Sequence, residues 1–310
     1  IVAATRTPIG RSHKGYFRNT RPDDLLAAVL RSALAQAPGL DPKAIEDVIC
    51  GCAIPEAQQG LNVARIGAIL AGLPNTVGGI TVNRFCASGL SAVQMAADRI
   101  RVGEAEVMIA AGVESMSMVP MMGNSPSLSP AIFANTDDVE NYGIAYGMGL
   151  TAEKVAQQWK VSRDAQDAFA VESHRRAVAA MKAGEFTAEI TPVDVTERSV
   201  NLETAEVATS TRTVNLDEGA RPDTTLEGLA KLRAVFAARG SVTAGNSSQM
   251  SDGAGAVLLM SEAAVKRYGV TPIARFCSYS VAGVPPEIMG IGPVEAIPRA
   301  LKAAGIAQNQ

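Results

Sequence analysis

Histidine and cysteine are scarce: His13 and His174 are the two histidines, and the four cysteines stand at 50, 52, 86 and 277. Four unevenly spaced cysteines cannot build a disulfide framework, so a reducing, cytoplasmic setting is expected. Two histidines leave little for a metal centre, and no metal-ligand spacing or nicotinamide fingerprint appears. Aromatic residues make up only 4% of the chain, with a single Trp, which excludes a core built around bulky rings. Charge of one sign is lacking too. The 28 basic and 31 acidic residues are interspersed and leave a net charge of −3, so nothing marks a nucleic-acid footprint. No apolar run reaches the roughly 18 residues that would span a bilayer. The opening Ile1-Val2-Ala3-Ala4-Thr5-Arg6 is too short for a signal peptide, lacks a basic start, and reads as a first strand whose initiator Met has been trimmed.

Small residues fill the place of the aromatics. Of 310 residues 52 are Ala and 28 Gly, which suits helices and strands packed at close backbone approach. A β-α-β-α rhythm runs through the first 117 residues, with strands expected at 1–4, 48–54, 80–82 and 107–113. Helices are expected after a cap at Asp23, after Asp41-Pro42, over 63–71 before Gly72, and over 88–102 before Gly103. This rhythm predicts a mostly parallel sheet covered by helices. From Met116 to about Gly149 the chain is rich in Met, Ser, Pro and Gly and loses periodicity. Helices follow over 152–159 and from a Ser162 cap to Ala183, then irregular Thr-rich sequence over 190–225. The rhythm resumes with a buried strand at 254–260, a helix opened by Ser261 and closed by Gly269, a strand at 273–282 and a helix at 294–304. A further strand should follow that last helix, so the chain reads as part of a longer polypeptide.

Cys86 has the most informative surroundings. It follows the strand Ile80-Thr81-Val82 after Asn83-Arg84-Phe85 and precedes the helix opening Ser88-Gly89-Leu90, whose Leu90, Val93, Ala97 and Ile100 read as an inward stripe. A thiol at a strand-to-helix turn sits at unpaired helix N–H groups, which stabilise thiolate and can hold an oxyanion on an attached acyl group. The small Ala87, Ser88 and Gly89 let a substrate approach the backbone. On the residues alone, nucleophile and buried structural thiol both stay open. Cys50 and Cys52, inside a strand-like run, read as core, and so does Cys277 beside Phe276. A Cys nucleophile needs a base. His174 lies on a polar helix face and His13 in a polar loop, and neither makes a convincing one.

The segment Asn83-Arg84-Phe85-Cys86-Ala87-Ser88-Gly89-Leu90-Ser91-Ala92-Val93 resembles the acyl-enzyme cysteine signature of thiolases. Gly112-Val113-Glu114-Ser115-Met116-Ser117, Met148 to Ala156, Arg221 to Phe236 and Thr243 to Glu262 match in the same order and spacing, so the resemblance covers the whole chain. It implies an α/β fold of layered α-β-α-β-α architecture with two similar mixed-sheet halves. Residues 1–117 plus 243–264 would form the N-terminal half, 118–242 an inserted loop domain holding coenzyme A, and 265–310 the start of the C-terminal half.

By that resemblance Cys86 takes the acyl group of a 3-oxoacyl-CoA as a thioester. Arg221 matches a position near the adenine nucleotide of CoA, where a guanidinium suits a phosphate-bearing ligand. Met148, Phe236, Ala244 and Ser248 match positions lining the pantetheine channel. Gly147 stands where short-chain biosynthetic thiolases carry His, and Gly228 where they carry Ser. Together with Ser248-Gln249-Met250, these departures lean toward degradative 3-ketoacyl-CoA thiolases. Three family segments, Asn-Glu-Ala-Phe, Gly-His-Pro and Cys-x-Gly, supply the water-holding Asn, the activating His and the acid/base Cys. None occurs in residues 1–310, so this stretch alone is expected to be inactive. Acyl-CoA and CoA are the expected partners, with CoA as substrate rather than cofactor, no metal, no nucleic acid and no membrane span. A homodimer or homotetramer is implied, and the glycine-dotted strand near 78–83 suits a dimer interface. The alternatives are an acetoacetyl-CoA-forming biosynthetic thiolase, a ketoacyl or hydroxymethylglutaryl-CoA synthase, and a non-catalytic acyl-CoA-binding module.

Overall fold

A computed structural model describes residues 1–134, 137 and 139–309. In chain order its strands and helices are β1 (Ala3–Arg6), β2 (Gly10–Arg11), α1 (Pro22–Ala35), β3 (Asp47–Gly51), α2 (Val63–Leu70), β4 (Gly78–Val82), α3 (Ser88–Arg101) and β5 (Val107–Ser115). There follow α4 (Ala131–Ala134), α5 (Met148–Gln158), α6 (Arg163–Ala183), β6 (Val193–Val200), β7 (Val207–Val214), α7 (Leu226–Ala230), β8 (Ser251–Met260), α8 (Glu262–Tyr268) and α9 (Gly292–Ala304). These group into two compact units. The first holds Ile1–Ser125, Gly184–Gly219 and Gln249–Phe276, and the second holds Pro126–Ala183, Ala220–Ser248 and Cys277–Gln310.

The first unit is built on a sheet of order β1-β8-β5-β3-β4, with β2 pairing β8. β3 runs parallel to β4 and β5, whereas β8 is antiparallel to β1 and β5. The sheet is therefore mixed rather than mostly parallel, because β8 enters between β1 and β5 by a long return instead of a βαβ crossover. Strand alternation sends neighbouring residues to opposite faces. Val48, Cys50, Ile109, Ala256 and Leu258 pack with Leu25, Leu26, Val29 and Leu30 of α1 and Val63, Ala64 and Ala68 of α2. Ile49, Met108, Ala110 and Leu259 pack with Ala92, Ala96 and Ala97 of α3. Helices thus cover both faces, and α3 lies on the face opposite α1 and α2.

Several local expectations hold. Asp41 accepts from the Lys43 N–H ahead of a short 3-10 turn, and Ser261 accepts from Ala264 N–H to cap α8. The glycines at 72, 103, 184, 269 and 305 all carry positive φ at helix ends. Other expectations are corrected. α1 begins with Pro22 at its first helical position, so Asp23 is not the cap; it is buried in the first turn and paired with Arg21 at 2.8 Å. Leu90 is 67% exposed, and the inward face of α3 is made by Ser91, Ala92, Ala96 and Ala97. The small side chains let α3 lie close on the sheet, which turns the larger Leu outward. The Thr-rich stretch 190–225 is not wholly irregular: β6 and β7 pair antiparallel over it, with Val193, Val195 and Val214 as the buried members. Residues 273–282 form no strand, since a strand exists only as part of a ladder. Cys277, on that segment, is exposed rather than core.

Within the second unit, α5 packs on the 3-10 turn Pro286–Ile291, and α6 packs on α7. Ser162 caps α6 as expected, its Oγ accepting from Ala165 N–H at 3.2 Å. No helix among the described residues is long and apolar enough to cross a membrane.

Candidate active site

The chain reverses from β4 into α3 within five residues, Asn83 to Ala87, and Cys86 is exposed inside that turn. The turn is held by its own side chains. Ser88 Oγ accepts the Arg84 N–H at 2.8 Å and donates to the Phe85 carbonyl at 2.6 Å. Asn83 Oδ1 accepts the Phe85 N–H at 2.8 Å, while its Nδ2 donates to the Ala53 carbonyl at 2.9 Å. Phe85 sits at φ +45, in the left-handed region that a bulky residue occupies only under constraint. Its ring is 66% exposed, so burial does not offset that cost.

α3 makes its first helical bond from Ser91 N–H to the Ala87 carbonyl, at 3.0 Å. The preceding N–H groups of Gly89 and Leu90 belong to the orphan set at a helix N-terminus, beside Cys86 in sequence. The sheet presses close here. A Cβ on Gly51, the last residue of β3, would lie 2.5 Å from the Ser88 carbonyl carbon and 2.6 Å from Gly89 N. That position demands glycine, and it locks the end of β3 against the start of α3.

The remaining cysteines sort clearly. Cys50 is fully buried and its thiol is held protonated mainly by that burial. Burial pushes the Cys52 thiol up to about 12, with Glu114 adding to the shift. Its Sγ donates to Glu114 Oε1 at 4.0 Å. Both fit the core reading. Cys86 and Cys277 are the exposed thiols, and only Cys86 stands at a helix N-terminus.

Glu114, which the sequence reading noted only as part of a motif, anchors the neighbouring turn. Oε2 accepts the Ala53 N–H at 2.7 Å, and Oε1 accepts from Ile54 N–H at 3.4 Å and from Gln59 Nε2. Gln59 is fully buried, with Oε1 accepting Ser115 N–H at 2.9 Å. Its sequence signal was an acidic residue ending the apolar run of β5. Burial pushes the Glu114 carboxyl above its ordinary 4.5, against the donors of Ala53, Gln59 and Ile54. A raised native value means that the native state keeps a proton the unfolded chain releases, so this group weakens the fold as pH rises from about 4.5. Glu114→Gln should cost about 1–3 kcal/mol at neutral pH, through backbone N–H groups left without an acceptor. The variant cannot titrate there, so the wild-type advantage in thermal melting should narrow as pH rises above about 4.5. A widening advantage would contradict this assignment.

The residues matched to CoA contacts all lie in the second unit. Ala244 and Ser248 are exposed on the 243–248 loop, which is held from beneath. Asn246 Oδ1 accepts Thr243 N–H at 2.7 Å, and its Nδ2 donates to Asp167 at 2.9 Å. Glu153 accepts the backbone N–H groups of Ser241 and Val242. Met148 opens α5 and is half exposed; its neighbour Gly149 lies under the Phe236 ring, where any Cβ would collide. Arg221 is exposed and ion-paired with Asp223 at 3.5 Å. Its backbone N–H donates to His174 Nδ1 at 3.1 Å, so His174 is a structural partner of the Arg221 turn rather than a solvated helix residue. The His13 N–H donates to Ser117 Oγ at 2.8 Å.

The family model for the thiolase N-terminal domain matches residues 1–263, and that for the thiolase C-terminal domain matches residues 270–310. The 3-ketoacyl-CoA thiolase of Bacillus subtilis is 49% identical over 308 residues, covering 99% of this chain and 76% of that protein. The 3-ketoacyl-CoA thiolase of Vibrio cholerae is 45% identical, with the same coverage of both chains. The peroxisomal 3-ketoacyl-CoA thiolase 2 of Arabidopsis thaliana is 46% identical over 99% of this chain and 64% of its own length. A signature cysteine at a strand-to-helix turn, a mixed sheet covered on both faces, and two family models that together span nearly every residue lead to one conclusion: the chain belongs to the thiolase family.

Proposed function

We propose that this chain supplies the nucleophilic part of a 3-ketoacyl-CoA thiolase, an acyltransferase in which Cys86 carries the acyl group and whose activating His and acid/base Cys lie outside residues 1–310. The observation that carries this reading is Cys86 itself, an exposed thiol in a braced turn at the N-terminus of α3. In the cleavage direction the Cys86 thiolate attacks the 3-oxo carbon of a 3-oxoacyl-CoA. The C2–C3 bond breaks, its electron pair leaves with the acetyl-CoA enolate, and C2 takes up a proton. A second CoA thiolate then attacks the Cys86 thioester, releasing the shortened acyl-CoA and regenerating the thiolate. Both steps pass through a tetrahedral oxyanion, which backbone N–H groups at the α3 N-terminus are suited to stabilise. The relatives' name favours the degradative direction over a biosynthetic thiolase, a condensing synthase or a passive acyl-CoA-binding module. Incubating the protein with an acyl-CoA and mapping peptides by mass spectrometry should find the acyl mass on Cys86. No acyl group there, or an equal yield on Cys277, would overturn the reading.

CoA would lie along the second unit, with Arg221 near its phosphates and Met148, Phe236, Ala244 and Ser248 along its pantetheine arm. What supports this is their common exposure and the braced 243–248 loop that presents Ala244 and Ser248. CoA serves as substrate, and no bound cofactor or metal is invoked. A cytoplasmic location suits four cysteines outside any disulfide, although one relative carries a peroxisomal name.

A homodimer would form through β4. This strand ends the sheet, and exposed apolar side chains surround it: Ile80 on the strand, Phe85 and Leu90 just after it, and Leu61 beside Asn62, whose Nδ2 donates to the Gly79 carbonyl. A long apolar edge is a template for pairing with another chain. Ile80→Lys should shift the protein to monomer in light scattering, whereas an unchanged mass would place the interface elsewhere.

A further inference from the structure

The turn before Cys86 is braced from both ends, by Ser88 on the α3 side and by Asn83 on the β4 side. Phe85 occupies a left-handed φ of +45. Asn83 braces it from the β4 side, by accepting the Phe85 N–H through Oδ1 at 2.8 Å and donating from Nδ2 to the Ala53 carbonyl at 2.9 Å. Ala53 is fixed in turn, because its N–H donates to Glu114 Oε2 at 2.7 Å. Glu114 also accepts from the fully buried Gln59. A continuous chain of hydrogen bonds therefore runs from the buried end of β5, across the end of β3, to the residue before Cys86.

We propose that Asn83 is a positioning residue for Cys86: its carboxamide holds Phe85 in the left-handed turn that delivers the thiol to the N-terminus of α3, and the Glu114–Ala53 link anchors it. Its relevance to catalysis rests on the reading of Cys86 as the acyl acceptor; its effect on the thiol does not. Without the Asn83 side chain, Phe85 is released to the ordinary right-handed or extended backbone. The backbone that sets where the exposed Cys86 thiol lies at the start of α3 is then no longer fixed. Ser88 still braces the far side of the turn through Arg84 N–H and the Phe85 carbonyl, so the helix itself persists.

The test is the rate at which iodoacetamide alkylates Cys86 in the intact protein, followed by peptide mass spectrometry, with the exposed Cys277 read in the same samples. Asn83→Ala should slow Cys86 roughly tenfold and leave Cys277 and the melting temperature nearly unchanged. Asn83→Ser keeps a short acceptor for the Phe85 N–H and should stay within about threefold of wild type. Glycine adopts the left-handed turn unaided, so in a Phe85→Gly background Asn83→Ala should cost no more than about threefold. That pair also serves if Asn83→Ala alone does not fold. The proposal is overturned if Asn83→Ala alkylates at the wild-type rate, if Ala and Ser slow Cys86 equally, or if Cys277 changes in parallel. Acyl transfer from acyl-CoA to Cys86, measured on wild type, separates the two ideas. Its absence alongside a slowed Asn83→Ala would sink the acyltransferase reading and leave the positioning role standing.

Discussion

In a polypeptide that also carries the activating His and acid/base Cys, replacing Cys86 by alanine abolishes thiolysis: the rate of 3-oxoacyl-CoA loss should fall by at least ~10⁴-fold, on the order seen when a covalent nucleophile is removed. The effect is this large because acyl transfer through an enzyme thioester has no alternative acceptor here. Cys50 and Cys52 are buried and held as thiols, and Cys277 does not stand at a helix N-terminus. The loss should appear in kcat, with little change in acyl-CoA affinity, because the proposed CoA contacts do not include Cys86. The measurement is disappearance of the 3-oxoacyl-CoA absorbance with CoA present, paired with calorimetric binding of CoA. A Cys86→Ala protein retaining even a tenth of the activity would rule out a thioester at this residue. Cys86→Ser should be nearly as inactive, since an alkoxide forms far less readily than a thiolate.

Gly51→Ala should be the most damaging single-methyl change near the site. The new Cβ meets backbone atoms of Ser88 and Gly89 at 2.5 and 2.6 Å, and backbone cannot rotate out of the way as a side chain can. Either β3 slides or the first turn of α3 lifts off the sheet, at a cost of about 2–3 kcal/mol. Lifting α3 also moves the N–H groups beside Cys86, so alkylation of the thiol should slow together with the drop in melting temperature. Gly89→Ala supplies the contrast. A Cβ there meets nothing within 4 Å, and alanine is the better helix former, so stability should hold or rise slightly. Equal melting curves for Gly51→Ala and wild type would show that the contact between β3 and α3 relaxes freely.

Much of the first unit could be read from its punctuation. Asp41, Ser261 and the helix-ending glycines announce element boundaries through mechanisms that act within a few residues, and the structure honours them. Cys86 was legible for the same reason, since a thiol between an apolar strand and an Asn-to-Gly turn depends on local chemistry. What escaped depends on distant partners. Leu90 reads as inward because it is the largest apolar residue at its end of α3, yet it faces out while Ala92, Ala96 and Ala97, with Val93 and Ile100 partly buried beside them, pack on the sheet. The β6–β7 hairpin alternates Thr, Ser, Glu and Arg with a few Val, so its ladder, not its hydrophobicity, makes it a strand pair. Asn83 and Glu114 stand in the sequence only as members of longer motifs, with nothing to single out their roles. Their roles come from hydrogen bonds to Ala53, thirty residues before one and about sixty before the other.

The placement of β8 has a consequence for how the chain is made. β5 is almost wholly buried along Val107–Ser115, and its whole length pairs with Ser251–Met260. On the ribosome, β5 emerges more than a hundred residues before β8. At about 5–20 residues per second, its apolar edge waits on the order of ten seconds for its partner. A vectorially growing chain of this kind cannot close its sheet early, so nascent-chain chaperones should engage it during that interval. Release should coincide with emergence of β8, the strand that joins β1 to β5.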